Sequence, residues 1–426
     1  MDIYGLARRL NGKRKELIKQ QAGRVLSPVR RIECVCPPKN GRFVAMTFDD
    51  GPDALTPEGY SESLTGVILG ALKEYGARVT FDVIGSTQDN YPDEAGELGG
   101  FTWGGIKYDH YPRFGDDSLA GAKNQPELVR AILADGHELS NHGSTHRLFG
   151  KMRAVYGSRN HFAGLGEVVD DLNDLHSYVK DNFGYTMKLA RPAHYIDKMP
   201  DGATAYDAYR IMGYNYMAAS FDGAGWQPRS SYEQEIREMT EPLHSALAKD
   251  PDALNGKIIF QKDGCNMAMR TPIADALPEQ LKILKEYGYA VIPVSELLQM
   301  SPFEDMAPDA PEAEDVKYLL GLGHTVGYKN NTFHGERFMT SDEFYMTVCP
   351  PEALRAPKRM TKKDMVLAAR QASPVKLEGK FCGNALLKAA EKAGANVDEK
   401  LYKDKTQVLR SDGVRLAAQI VRASGK

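Results

Sequence analysis

Phe43-Val44-Ala45-Met46-Thr47-Phe48-Asp49-Asp50-Gly51-Pro52 begins as an apolar run and ends in two adjacent carboxylates and a Gly-Pro turn. A run buried on both faces is the mark of a parallel strand, and Gly51-Pro52 marks where it must stop. Side chains alternate along a strand, so Asp49 and Asp50 can share one pocket only if the backbone leaves extended geometry between them, which Gly-Pro permits. Two acids at the carboxyl end of an inner strand are costly to desolvate unless a cation or a proton compensates them. One is therefore expected to bind metal and the other to handle protons. Taken alone, Asp-Asp-Gly-Pro fits an ordinary turn as well, because these residue types cluster in turns.

A second stretch answers the first. Gly136-His137-Glu138-Leu139-Ser140-Asn141-His142-Gly143-Ser144-Thr145-His146 supplies His142 and His146 at a spacing of four. On a helix or a tight turn that spacing brings both imidazoles to one side, as in many zinc sites. One carboxylate and two imidazoles leave coordination positions open for water and substrate.

Together the two stretches resemble the NodB-homology polysaccharide deacetylases, carbohydrate esterase family 4, over roughly residues 41–300. The resemblance implies that Asp50, His142 and His146 bind the metal and that Asp49 is the general base. Leu189-Ala190-Arg191-Pro192-Ala193-His194 is similar to the third family motif, which implies that Arg191 pairs with Asp49; a guanidinium there lowers the acid's pKa and fixes its rotamer. Ala193-His194 replaces the family's Pro-Tyr, so the groove wall differs, and His194 and Tyr195 are expected to face substrate. Ser220-Phe221-Asp222-Gly223-Ala224-Gly225-Trp226 resembles the fourth motif, implying a supporting role for Asp222 and an acyl-pocket role for Trp226. In Gly256-Lys257-Ile258-Ile259-Phe260-Gln261-Lys262-Asp263 the family would place a His where Lys262 stands, the residue that protonates the leaving amine. Lys262 is then the candidate acid, with His194 next.

What the resemblance implies is a metal-dependent hydrolase that removes acetyl groups from N-acetylated or O-acetylated sugars of a polysaccharide or oligosaccharide. Zinc is the default for two His and one Asp, while manganese, cobalt and iron tolerate the same donors. A carbohydrate-binding pseudo-enzyme on the same barrel is the alternative that the missing His favours. An iron site for oxygen chemistry is a third, for which the adjacent acids and Arg191 are a poorer match.

Outward from the first strand the pattern repeats as helix, glycine, strand. Ser63 to Glu74 reads as a helix with Leu64, Val67, Ile68, Ala71 and Leu72 on one face, followed by Gly76 and a strand over Arg78 to Gly85. Gly136, Gly184, Gly213 and Gly288 each stand where a helix must end in a left-handed residue. Further strands are expected near His137–Asn141, Lys188–Pro192, Tyr214–Phe221, Lys257–Gln261 and Tyr289–Val294. The fold class is therefore α/β, a distorted (β/α) barrel of about seven parallel strands, with functional groups at the strands' carboxyl ends. Between Gly85 and Gln125 lies a long insertion holding Phe101, Trp103, Tyr108, His110, Tyr111 and Phe114. Trp103 is expected to stack on sugar rings, against the equal alternative of a compact loop packed on its own aromatics.

The chain has 426 residues, 42% hydrophobic and 26% charged, with a net charge of −3, so it is globular and long enough for two or three domains, and nothing global argues for nucleic acid. No apolar stretch suits a transmembrane helix, and the N-terminus lacks the apolar core of a secretory signal, so the chain as written stays inside, whereas the family works at the envelope. Residues 1–40 read as a basic extension, with Ile3, Leu6, Leu10 and Leu17 along one helical stripe, docked on the main domain. The five cysteines are too few and scattered for a disulfide framework; Cys34 and Cys36 are expected as free thiols. Residues 41–300 form the barrel and 301–315 an acidic linker. Residues 316–426 form a small all-α module whose Thr340-Ser341-Asp342, Thr361-Lys362-Lys363-Asp364 and Leu409-Arg410-Ser411-Asp412 begin similar helices. These resemble degenerate S-layer-homology repeats, which implies cell-wall polymer as a partner; plain helical packing is the equal alternative.

Overall fold

The computed structural model describes residues 17, 20–86, 101–103, 106–108, 119–151, 161–266 and 270–425. It divides into two compact units, residues 37–300 and, separately, the N-terminal segment up to Cys36 together with residues 301–426.

In the first unit the decisive stretch forms β1 (Arg42–Asp49), with Val44, Ala45, Met46 and Phe48 fully buried, as a strand covered on both faces requires. Next come α1 (Leu64–Tyr75), β2 (Thr80–Val83), α2 (Pro126–Ala134), β3 (Glu138–Asn141), α3 (Leu165–Phe183), β4 (Leu189–Ala190) and α4 (Ala205–Met212). The unit continues with β5 (Asn215–Met217), β6 (Phe221–Asp222), α5 (Tyr232–Lys249), β7 (Ile258–Lys262), α6 (Ile273–Glu286), β8 (Tyr289–Ile292) and α7 (Val294–Met300). Among the described residues these strands form one sheet in the order β5-β4-β3-β2-β1-β7-β6, with β8 on the first half of β1. The pairings β1–β2, β1–β7, β1–β8, β2–β3, β3–β4, β4–β5 and β6–β7 are all parallel. The sheet curls into an incompletely closed barrel, so the class read from the sequence holds.

Local chemistry accounts for the helix ends. The Ser63 hydroxyl accepts from the Gly66 amide to start α1, and Gly76, at φ 64°, ends it. Ile68 and Leu72 are fully buried beneath the sheet, each stabilising the fold by about 1.5–3 kcal/mol relative to exposure. One expected strand divides: Tyr214–Phe221 becomes β5 and β6, because the carbonyls of Met217 and Ala218 turn to accept from the Arg191 guanidinium instead of a neighbouring strand. In the long insertion, Phe101–Trp103 and Ile106–Tyr108 pair as an antiparallel hairpin. The Trp103 side chain, expected to stack on sugar, lies outside the described residues, as do His110, Tyr111 and Phe114.

The second unit is helical: α8 (Ala313–Gly321), α9 (Ser341–Val348), α10 (Lys362–Ala372), α11 (Gly383–Lys392) and α12 (Arg410–Ser424). Of these, α8, α9, α11 and α12 pack around Val316, Leu319, Phe333, Phe344, Leu386, Leu416 and Ile420, whereas α10 packs through Ala369 on a second cluster with Tyr345, Met346 and Leu354. Reciprocal capping boxes open α9 (Thr340 with Glu343) and α10 (Thr361 with Asp364). The acidic stretch expected as a linker contributes Ser301, Phe303 and Met306 to this unit's interior. Arg30 donates to the Pro302 carbonyl (2.6 Å) and to Asn331 Oδ1 (2.7 Å), so the end of the basic extension is part of the same unit. Ile3, Leu6 and Leu10 lie outside the described residues. Arg410, the first residue of α12, is wholly buried and donates to the carbonyls of Phe333 (2.9 Å) and Val326 (2.6 Å), which makes it a strut of the helical packing. None of the five cysteines is in a disulfide, and no helix among the described residues is long and apolar enough to cross a membrane.

Candidate metal and active site

β1 ends at Asp49, and Asp50 takes a left-handed conformation at φ 80°. That is the departure from extended geometry needed to turn two consecutive acids into one pocket. Gly51 follows because nothing larger fits: a Cβ there would stand 2.1 Å from Asp263 Oδ2. The parallel register sets Asp49 beside Lys262 on β7 and beside Asp82 on β2, all at the sheet's carboxyl end.

The two histidines come from a turn, not a helix. His142 follows β3, with its amide on the Val83 carbonyl (2.9 Å), and the chain reverses through Gly143 (φ 94°) to His146 (φ 56°). Asp171, on α3, holds this reversal: its carboxylate accepts from the Ser144 amide (2.8 Å), the Thr145 amide (3.1 Å) and the Thr145 hydroxyl (2.7 Å). Asp171→Ala is expected to cost about 1–3 kcal/mol through the stranded donors and to weaken metal binding, read by thermal unfolding and zinc titration. An unchanged affinity would remove Asp171 from the site's support.

Held this way, His142 Nε2 and His146 Nε2 each lie 3.2 Å from Asp50 Oδ1. One ligand atom from each of Asp50, His142 and His146 falls within 4.8 Å of the others. Two imidazole nitrogens converging on one carboxylate oxygen is a donor set that suits a divalent transition metal. The other oxygen, Asp50 Oδ2, takes the Lys262 ammonium at 2.6 Å. Against the cost of burial, Lys262, His146 and His142 hold the Asp50 carboxyl well below the usual carboxylate range.

Asp49 lies beside this cluster with its two oxygens differently engaged. Oδ1 accepts from Arg191 Nη1, whereas Oδ2 faces His142 Nε2 at 3.7 Å. Arg191 is wholly buried and over-determined: Nη1 also donates to Thr47 Oγ1 (3.0 Å), Nε and Nη2 reach the Met217 and Ala218 carbonyls, and the guanidinium lies against the Tyr195 and Phe260 rings. Burial pushes the Asp49 carboxyl up to about 7, opposed by Arg191 and His142.

The remaining expected residues divide. The His194 ring sits 5.5 Å from that of His146, at the edge of the cluster, and Tyr195 reaches the site through its stacking on Arg191. Asp222 is solvent-exposed; its carboxylate accepts from the Ala224 amide (2.9 Å) and the Trp226 indole (3.2 Å), so it braces Trp226. Sequence reasoning missed Asp82, Asp171, Asp53 and Asp263. An Asp within the buried run Thr80-Phe81-Asp82-Val83 was the available signal, since a carboxylate inside an apolar strand demands a partner. Asp263, buried beside Asp53 and hydrogen-bonded by the Thr65 hydroxyl (2.7 Å), is pushed well up by burial and by Asp53.

Residues 37–198 match the polysaccharide deacetylase family. The chain is 25% identical over 268 residues to a peptidoglycan-N-acetylglucosamine deacetylase of Bacillus cereus, covering 62% of this chain and 91% of that one. It is 26% identical over 287 residues to a peptidoglycan-N-acetylmuramic acid deacetylase of Bacillus subtilis, covering 67% of this chain and 44% of the relative. Among solved structures, the chitin deacetylase of Colletotrichum lindemuthianum superposes with a TM-score of 0.43 at 19% identity, over 68% of this chain and 94% of the other.

Proposed function

Because residues 37–198 match the polysaccharide deacetylase family, we propose that the barrel is a NodB-homology deacetylase that hydrolyses the acetamide of N-acetylated sugars in a glycan of the peptidoglycan or chitin kind. The observation that carries this reading is the convergence of His142 and His146 on one oxygen of Asp50, next to an Asp49 clamped by Arg191.

Asp50, His142 and His146 would hold one divalent cation, zinc by the nature of the donors. When bound, such a cation supplies Lewis-acid polarisation of the acetyl carbonyl and a water of lowered pKa. Asp49 Oδ2 is the oxygen left for base chemistry, because Oδ1 is committed to Arg191; it takes the proton of the attacking water. Arg191 opposes the rise that burial imposes on that carboxyl and fixes its orientation. Water's oxygen joins the acetyl carbon, the C–N bond breaks, and Lys262 Nζ gives a proton to the departing amine. Trp226, Tyr195 and His194 border the sugar and acyl groups.

Metal per chain, measured beside His142→Ala, and acetate release from N-acetylglucosamine oligomers test the reading together. One metal per chain is expected in the wild type, with loss of metal and at least about 10²-fold lower turnover in the variant. Wild-type protein that takes up no metal after zinc reconstitution would sink the hydrolase. A second reading draws on the Lys262 ammonium, which already compensates Asp50: a sugar-binding barrel without turnover. Metal uptake and oligosaccharide binding with no acetate released would identify it.

A further inference from the structure

Asp82 occupies the middle of the sheet. On β2 it stands in register with Asp49 of β1 on one side and Ser140 of β3 on the other, and it is wholly buried between Phe81 and Val83. A carboxylate in that position is expensive unless neighbours compensate it. Ser140 Oγ donates to its Oδ1. Its Oδ2 lies 2.9 Å from His142 Nδ1, and the same ring nitrogen is 2.9 Å from the Arg191 carbonyl oxygen. The directed hydrogen bond runs to the carbonyl, leaving Asp82 Oδ2 as a buried oxygen facing the imidazole without a well-aligned donor.

The imidazole of His142 is thus strung between two carboxylates, with Nδ1 towards Asp82 and Nε2 towards Asp50. Two acceptors at Nδ1 require that nitrogen to carry the hydrogen, which leaves the Nε2 lone pair pointing at Asp50 and His146. The carbonyl alone would select that tautomer. A carboxylate adds negative charge, which makes Nε2 a stronger donor to a cation. Charge counting leads to the same place. Asp49 has Arg191 and Asp50 has Lys262, whereas among the described residues the ionic partner of Asp82 is His142 itself. Arg191 attracts Asp82 only at longer range, so the rest of its charge is balanced across the imidazole, by whatever cation sits beyond it.

We propose that Asp82 is a positioning residue for a divalent-metal centre, setting the tautomer of His142 and strengthening it as a ligand from behind. The inference rests on the metal-binding reading of Asp50, His142 and His146. Nothing in the chemistry requires Asp82 to touch substrate.

The test uses the full chain, stripped with a chelator and titrated with zinc in competition with a chromophoric chelator, for wild type, His142→Ala, Asp82→Asn and Ser140→Ala. Unfolding of the metal-free forms monitors the fold, and the visible spectrum of each cobalt-loaded form reports the ligand field. Asp82→Asn is expected to bind zinc about 10- to 100-fold more weakly and to shift the cobalt spectrum. Ser140→Ala, which frees Asp82 Oδ1 without touching a ligand, should move affinity in the same direction by a smaller factor. A folded Asp82→Asn with wild-type affinity and spectrum overturns the proposal while the loss in His142→Ala keeps the metal site standing. Should Asp82→Asn fail to fold, an unchanged affinity in Ser140→Ala overturns it equally. Wild-type protein without zinc affinity overturns the metal site and this inference together.

Discussion

Asp49→Asn is expected to lower kcat for acetate release by about 10³-fold while the protein still holds one metal per chain. The asymmetry of the carboxylate is the reason. Arg191 takes Oδ1, so proton transfer depends on Oδ2, the oxygen facing the histidine cluster. Asparagine can keep an oxygen towards Arg191, but it then presents an amide NH₂ where the base stood. Asp50, His142 and His146 are untouched, so metal content separates loss of the base from loss of the site. Retention of more than a tenth of wild-type kcat would assign proton removal to another group.

Arg191→Met should have the largest effect on stability, about 3–5 kcal/mol. Removal of one partner from a buried pair leaves the other charge uncompensated, and here Thr47 Oγ1 and the carbonyls of Met217 and Ala218 lose their donor as well. Both tryptophans, Trp103 and Trp226, belong to residues 37–300, so urea unfolding followed by tryptophan fluorescence reports on the barrel unit. The double variant Asp49→Asn/Arg191→Met should be more stable than the sum of the single losses, because neither charge is then left alone. Strict additivity of the two losses would mean that the pair is not coupled in the folded barrel.

Much of the arrangement was legible along the chain because it is written in local patterns. An apolar run cut by Gly-Pro, helices closed by glycines, and two histidines four apart each constrain neighbours within a few residues. They led to the parallel sheet, to a departure from extended geometry between Asp49 and Asp50, and to His142 and His146 on one side of a helix or a tight turn. Motif resemblance led to Arg191, which is why it could be named as the partner of Asp49 without knowing the path between strands.

What the tertiary structure alone decided concerns partners far apart in sequence. Asp82 meets His142 only because β2 lies between β1 and β3 in one register; a shift by one residue would turn its carboxylate to the opposite face. Asp171 grips the histidine turn from a helix whose apolar stripe shows only that it packs, not where its one inward acid falls. Lys262 ends on Asp50 and Asp222 on Trp226, partners that the motifs did not name. The division of Tyr214–Phe221 and the burial of Phe303 follow the same rule. Sequence by itself determined which residues are costly to leave unpaired; the register of the sheet and the docking of the helices, where side-chain energies from distant segments are summed, chose the partner for each.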